Sequence, residues 1–351
     1  MQGQTLFLGF GSIQQAVTDA RLWEPLIRLA DYQSTPRTRS ESLTFLTHDL
    51  QLDTASAEAL VLLLESGRFL IPAQSYDPRD RYSRHALFYE LSGEDSARVQ
   101  KRLADSHVLL LGCGGIGNLV ATTLATAGVG TLTLVDDDQV ELSNLTRQFL
   151  FTEADVGQPK CEVLAREVTR RNSHCRVRAF TTAVTDRTDL AALAVSDLLV
   201  VSADSPGLTR LVNTHAVASG QEWLNVCYVN DIAVWGPLVI PGVTGCWDCQ
   251  PLTAHPPHDD PDLAALIKRV NSRYQAPSNG PVNMVASALA ALDVLRRLGG
   301  FGVPASLNRR VGVWSHELTL DEQPAERDPL CPTCARATPT ATDPRATEGA
   351  R

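Results

Sequence analysis

The stretch HVLLLGCGGIGNLVATTLATAGVGTLTLVDDD, residues 107–138, decides the fold. His107 to Leu111 is apolar enough for a buried strand, Gly117 to Ala127 has helical spacing, and Gly130 to Val135 is a second buried strand. Between the first strand and the helix stands Gly112-Cys113-Gly114-Gly115-Ile116-Gly117, a G-x-G-x-x-G turn. Strand, glycine turn, helix and strand in this order open a doubly wound parallel sheet. Gly112, Gly114, Gly115 and Gly117 let the backbone approach a phosphate at the helix N-terminus, and Asp136 closes the second strand where a carboxylate can bind ribose hydroxyls. A nicotinamide cofactor, ATP and a tight turn with no ligand all satisfy this pattern.

The residues after the second strand separate them. Asp136-Asp137-Asp138 leads to Ser143-Asn144-Leu145-Thr146-Arg147-Gln148 and then to Gly157-Gln158-Pro159-Lys160. A dehydrogenase needs a single acid after the second strand, whereas a nucleoside triphosphate needs cations for its phosphates and carboxylates for Mg²⁺. Arg147 and Lys160 fit a triphosphate clamp, and Lys160 stands out because Lys101 and Lys268 are the only other lysines.

Outward from the glycine turn, the pattern continues to alternate. Helices are expected over Gln158 to Arg171 and Leu208 to Ala218, with strands over Arg176 to Thr181, Asp197 to Ser202 and Glu222 to Val226. Ile232 to Ile240 and Arg310 to Trp314 read as antiparallel strands. The polar segment 251–281 reads as a functional crossover loop, in which His255, His258, Asp259 and Asp260 are taken as solvated. Residues 1–78 are a separate mixed module: Arg21 to Tyr32 and Ala55 to Ser66 have helical spacing, and Arg68 to Ile71 reads as a strand, a winged-helix-like order. The turn-rich run from Ser75 to Arg84 marks the boundary, and 336–351 reads as a disordered tail.

The composition narrows the class further. At 351 residues, with 44% hydrophobic and 20% charged side chains, the chain is long enough for two or three globular domains. A net charge of −9 argues against a general nucleic-acid binder, whose affinity comes from clustered cations. With neither a membrane-length apolar run nor a secretory signal, a cytoplasmic protein is expected. Eight cysteines are too sparse for a disulfide scaffold. Four of them form two Cys-x-x-Cys hooks, Cys246 with Cys249 and Cys331 with Cys334, suited to a closed tetrahedral zinc site of structural type. Between Gln250 and Leu330 there is no cysteine.

RYSRHALF (Arg81 to Phe88), GCGGIG, DDDQVELSNLTRQ, GQPK, SADS (Ser202 to Ser205) and the two hooks together resemble the adenylation domain of the ubiquitin-activating superfamily. CYVNDIAVWGPL (Cys227 to Leu238), NSRYQ (Asn271 to Gln275), PVNMVASAL (Pro281 to Leu289) and SLNRRVGVWSHE (Ser306 to Glu317) resemble, within it, the peptide-activating enzymes of microcin C biosynthesis. The resemblance covers roughly residues 65–335 and implies a Rossmann-like adenylation domain over 79–335, with a peptide-clamp module at 1–78. It also implies site roles. Gly112, Gly114, Gly115 and Gly117 surround the ATP phosphates, Asp136 holds the ribose, and Asp138 belongs to the same nucleotide-binding set. Asn144, Arg147, Gln148 and Lys160 orient the triphosphate, while Asp204 holds Mg²⁺. Arg84 matches an arginine inserted into a partner's site, which implies a homodimer. The activity implied is ATP-dependent attachment of AMP, through a phosphorus–nitrogen bond, to the carboxyl-terminal asparagine of a short ribosomal peptide. A sulfur-carrier adenylyltransferase and a non-catalytic leader-peptide-binding partner of a cyclodehydratase are the alternatives. Ser205, where many sulfur-carrier activators have asparagine, weakens the first.

Overall fold

A computed structural model describes residues 5–11, 13–73, 76–193, 195–249, 263, 266, 269 and 277–338. The expectations for His255, His258, Asp259, Asp260 and NSRYQ, and for most of the crossover loop and of the tail, fall outside these residues. The chain divides into two compact units, Met1–Val99 and Gln100–Arg351.

The first unit begins with a hairpin, β1 (Leu6–Phe10) and β2 (Ile13–Val17), paired antiparallel with Leu6 opposite Val17. Three helices come next: α1 (Trp23–Tyr32), α2 (Arg39–Thr44) and α3 (Thr54–Ser66). Thr38 and Glu41 form a reciprocal capping box at the start of α2, and Asp53 caps α3 by accepting the Ser56 N–H at 2.9 Å. Leu26, Leu29, Leu46, Leu60 and Leu64 make the core, and the Trp23 indole ties α1 to the hairpin by donating to the Val17 carbonyl at 2.8 Å. Arg68 to Ile71 is not a strand. Arg68 takes a left-handed φ of 58°, which breaks an extended run, and Phe69 and Leu70 turn onto the helical core instead. The unit ends with α4 (Ser83–Leu91), and α5 (Ser96–Asp105) runs on from it into the second unit.

The second unit is an eight-stranded mixed sheet. Its strands are β3 (His107–Leu111), β4 (Thr131–Val135), β5 (Arg176–Phe180), β6 (Leu198–Val201), β7 (Trp223–Val229), β8 (Ile232–Val239), β9 (Arg309–Trp314) and β10 (Thr319–Pro324). The order is β10-β9-β8-β7-β6-β3-β4-β5, parallel from β7 through β5 and antiparallel from β7 to β10. The helices are α6 (Gly115–Ala127), α7 (Lys160–Arg171), α8 (Arg187–Ala192), α9 (Leu208–Ser219) and α10 (Gly280–Gly299). After β3 the chain winds outward through β4 to β5, then returns across β3 to β6. The loops after β3 and β6 therefore diverge at a topological switch point, where doubly wound sheets bind ligands.

Strands β3, β4 and β6 are almost wholly buried, which explains their unbroken Leu/Val runs. Helix α10 packs on α6, β7 and β8. Asp293, 1% exposed, fixes it there: one oxygen accepts from the Trp235 indole at 3.0 Å and from the Ser306 N–H and hydroxyl at 2.8 and 2.7 Å, the other from the Ala305 N–H at 2.7 Å. Asp293→Asn turns an acceptor into a donor facing these groups. It should cost about 1–3 kcal/mol in urea unfolding, and unchanged stability would mean the network is dispensable.

Candidate active site

The loops at the switch point enclose a cavity of about 770 Å³, bounded by the ends of β3, β4 and β6 and by Cys227 and Tyr228 of β7. Its floor is the glycine turn. Gly112 has φ +95°, and a Cβ there would lie 2.7 Å from the Ala203 nitrogen; one on Gly117 would lie 1.9 Å from the Gly112 carbonyl oxygen. These two glycines are demanded by close packing of turn, helix and β6 loop. Gly114 differs, since its Cβ would find nothing nearer than the Gln148 amide at 3.9 Å. It caps α6 without a side-chain acceptor, so the first-turn N–H groups of a 13-residue helix stay available to an anion.

Asp136 closes the turn from the other side. Its carboxylate accepts the Cys113 N–H at 2.6 Å and the Asp138 N–H at 2.8 Å. Burial pushes its carboxyl above the ordinary range, and the two N–H bonds and Lys160 pull against that. Each oxygen keeps a lone pair for a further donor such as a ribose hydroxyl. Lys160, in the first turn of α7 and only 7% exposed, meets the Asp138 carboxylate at 2.7 Å. Arg147 is held by donating to the Ser143 carbonyl at 3.0 Å. Asn144 is buried and lies off the cavity wall: its side chain accepts the Glu141 N–H at 3.1 Å, and its carbonyl accepts the Arg147 and Gln148 N–H groups at 3.0 and 2.9 Å. It shapes the turn that presents its neighbours. Gln148, 3% exposed, lines the cavity, and its side-chain oxygen has no partner among the described residues.

Asp204 stands after β6 on the cavity wall, exposed. The helix beyond it begins at Leu208 and is capped by Gly207, φ +84°, so neither Asp204 nor Pro206 starts it. The carboxylates of Asp136, Asp137 and Asp138 lie within 4.8 Å of one another, a group that does not include Asp204. Nine residues singled out by sequence thus share one cavity: Gly112, Gly114, Gly115, Asp136, Asp138, Arg147, Gln148, Lys160 and Asp204. Gly117 and Asn144 support it from behind. Arg84 is exposed in the first turn of α4 in the other unit. Asn283 carries no local sequence signal for a role, although it stands in PVNMVASAL. It is 1% exposed, and a Cβ on Gly115 would fall 2.4 Å from its amide nitrogen, so it backs the glycine turn.

The four hook cysteines are buried together and do not line this cavity, their sulfurs within 4.8 Å of one another. Cys246–Cys331 and Cys246–Cys249 separations are 3.7 and 3.9 Å, against about 3.8 Å for the edge of a tetrahedron with Zn–S near 2.3 Å. Cys249–Cys334, at 3.2 Å, is tighter, but all three are far too long for a disulfide. Backbone N–H groups of Cys246 and Asp328 point at the Cys249 sulfur from 3.2 and 3.4 Å, as they do around bound thiolates. Asp248 joins the hooks to α9 and to each other by accepting from Asn213 at 3.0 Å and from Thr333 at 2.7 Å. The donor set and geometry are compatible with zinc.

A helix N-terminus, two cations and several carboxylates line one cavity, a set of groups suited to a polyphosphate. The chain belongs to the ThiF family, which it matches over residues 82–333. It is similar at 40% identity to the microcin C7 biosynthetic enzyme MccB in complex with N-formylated MccA, with TM-score 0.87 over 93% of this chain and 94% of that one. Escherichia coli MccB with ATP gives 39% identity and TM-score 0.84 over 93% and 94% of the two chains. The E. coli sulfur carrier protein ThiS adenylyltransferase is 33% identical over 64% of this chain and 83% of its own. No helix among the described residues is long and apolar enough to cross a membrane.

Proposed function

We propose that this chain is an MccB-like peptide adenylyltransferase, attaching AMP through a phosphorus–nitrogen bond to the terminal asparagine of a short ribosomal peptide in the making of a microcin C-like antibiotic. Identity at matched reach carries this reading: MccB is 40% identical across 93% of the chain, whereas the adenylyltransferase and sulfurtransferase MOCS3 of Sus scrofa is 32% identical across 89% of it. In the activating step a peptide carboxylate oxygen attacks the α-phosphorus, and pyrophosphate leaves with the electrons of the broken P–O bond. The asparagine amide nitrogen then closes on the activated carbonyl to a succinimide, expelling AMP. That nitrogen, losing its proton, attacks the α-phosphorus of a second ATP to form the P–N bond as pyrophosphate leaves. The first-turn N–H groups of α6, with Arg147 and Lys160, hold the phosphates while this charge moves. Asp204 would hold Mg²⁺, which supplies further charge neutralisation when bound. The four cysteines would hold a structural zinc ion. The N-terminal module, residues 1–78, would clamp the peptide, its short hairpin offering edges for strand addition.

Incubation with ATP and synthetic MccA peptide should yield pyrophosphate and a peptide heavier by one adenylyl group. Modification of a ThiS-type carrier protein, with the peptide left inert, would replace this reading by the sulfur-carrier one.

A homodimer sharing its sites is implied by the role given to Arg84. Arg84→Ala and Lys160→Ala proteins should each be inactive, and random subunit exchange between them should restore about a quarter of wild-type activity, because half of the dimers carry one intact site of two. Demonstrated exchange without recovery would reject the shared site.

A further inference from the structure

Helix α9 touches both the nucleotide cavity and the cysteine cluster. At its start, Asp204 to Leu208 and Leu211 line the cavity. Asn213 follows about 7.5 Å along the axis from Leu208, at 1.5 Å of rise per residue. It is fully buried beside Leu208, Val212 and Ala216, where an amide is costly unless its polar atoms are paired. Here each of them is. Its Nδ2 donates to the Asp248 carboxylate at 3.0 Å and to the Cys246 sulfur at 3.6 Å, and its Oδ1 accepts the Trp247 N–H at 3.0 Å. One side chain thus grips three consecutive residues of the first hook. Arg210, one turn earlier on the same face, lies 3.5 Å from Asp248, but it is exposed and contributes little. Apolar packing runs the same way: Leu111, Val135 and Leu208, which line the cavity, belong to the buried cluster that also holds the four cysteines.

A shift of the hook is therefore felt at the cavity wall. With metal bound, four sulfurs fix the hook turn; without it the turn is free to move, and any movement strands a buried amide unless α9 follows. A helix moves as a unit, so the segment from Asp204 to Leu208 goes with it. We propose that Asn213 is a positioning residue that couples zinc at the hooks to nucleotide in the cavity. Zinc fixes the hook, Asn213 fixes α9 to the hook, and α9 keeps the wall that carries Asp204 in register with the glycine turn. The coupling concerns ATP and holds whichever acyl group is activated; it rests on the zinc reading above. It is also reciprocal: the factor by which zinc tightens nucleotide is the factor by which nucleotide tightens zinc.

The test measures zinc affinity in a zinc-buffering chelator, with and without a non-hydrolysable ATP analogue and Mg²⁺, for wild type, Asn213→Leu and Thr333→Val. In wild type the analogue should tighten zinc by about tenfold, and zinc should tighten the analogue by the same factor. Asn213→Leu keeps a branched side chain and all four sulfurs, so zinc should still bind, with the linkage reduced to within about twofold. Thr333→Val cuts Asp248 from the second hook and leaves α9 attached, so zinc should weaken by about tenfold while the linkage stays. An asparagine that only stabilises the fold would lower the melting temperature of Asn213→Leu and leave the linkage intact. That outcome overturns the assignment, as does a zinc-loaded wild type without linkage, or an equal loss of linkage in Thr333→Val. Where the leucine variant does not fold, Asn213→Ser takes its place under the same criteria. Wild type that contains no zinc overturns both the assignment and the zinc reading.

Discussion

Asp204→Asn should lower peptide-dependent pyrophosphate release by at least about a hundredfold while leaving the melting temperature unchanged. A hundredfold is about 2.7 kcal/mol of transition-state stabilisation, within the range that a metal-borne charge contact supplies. A competing explanation for an acid just after a strand is a helix cap, worth about 1 kcal/mol of stability and kept by asparagine. The structure removes that explanation, because α9 starts at Leu208 behind a glycine cap. Asp204 instead stands exposed on the cavity wall. An asparagine there keeps size and hydrogen bonding but is a poor ligand for a hard divalent cation. Raising Mg²⁺ should recover part of the lost rate. Near-normal pyrophosphate release by Asp204→Asn at low Mg²⁺ would remove the carboxylate from the mechanism.

Cys331→Ser should release the metal and lower the melting temperature by about 10 °C or more. For a unit of this size 1 kcal/mol moves the midpoint by about 2–4 °C, so the prediction corresponds to a loss of several kcal/mol, modest beside the binding energies of structural zinc. Serine offers a hydroxyl where a thiolate is needed, and it leaves three buried sulfurs around an open corner. Chelation of the wild type should reproduce the same shift. If protein purified without chelator contains no zinc, the cluster is a nest of thiols and both results should be absent.

The sheet from β3 to β7 was legible because its signals are local. Unbroken Leu/Val runs mark strands buried on both faces, and a glycine turn marks the crossing from strand to helix. The cavity was legible from the same signals, since Gly112, Gly114, Gly115, Asp136, Asp138 and Asp204 follow strand ends whose position the winding rule supplies, while Arg147, Gln148 and Lys160 reach it from the segment between β4 and α7 and from the start of α7. What stayed hidden depends on partners distant in sequence. β10, TLDEQP, is an exposed edge strand of mostly polar residues, recognisable only by its pairing with β9. RFLI has the composition of a strand, but its apolar residues serve a helical core. Asp293 reads as a surface acid on an amphipathic helix until Trp235 and Ser306 are seen to converge on it. Gly117 and Asn144 bear the right residue types for ligand contact, yet they work by steric fit and turn geometry.

The two cysteine hooks lie 85 residues apart along the chain. With zinc bound, they close a covalent-strength ring that contains α10, β9 and β10. A single backbone cut between Cys249 and Cys331 would therefore not separate the protein: the two fragments would remain tethered through four metal–sulfur bonds, each fragment contributing two. They would migrate together under non-denaturing conditions and lose that link when the metal is stripped.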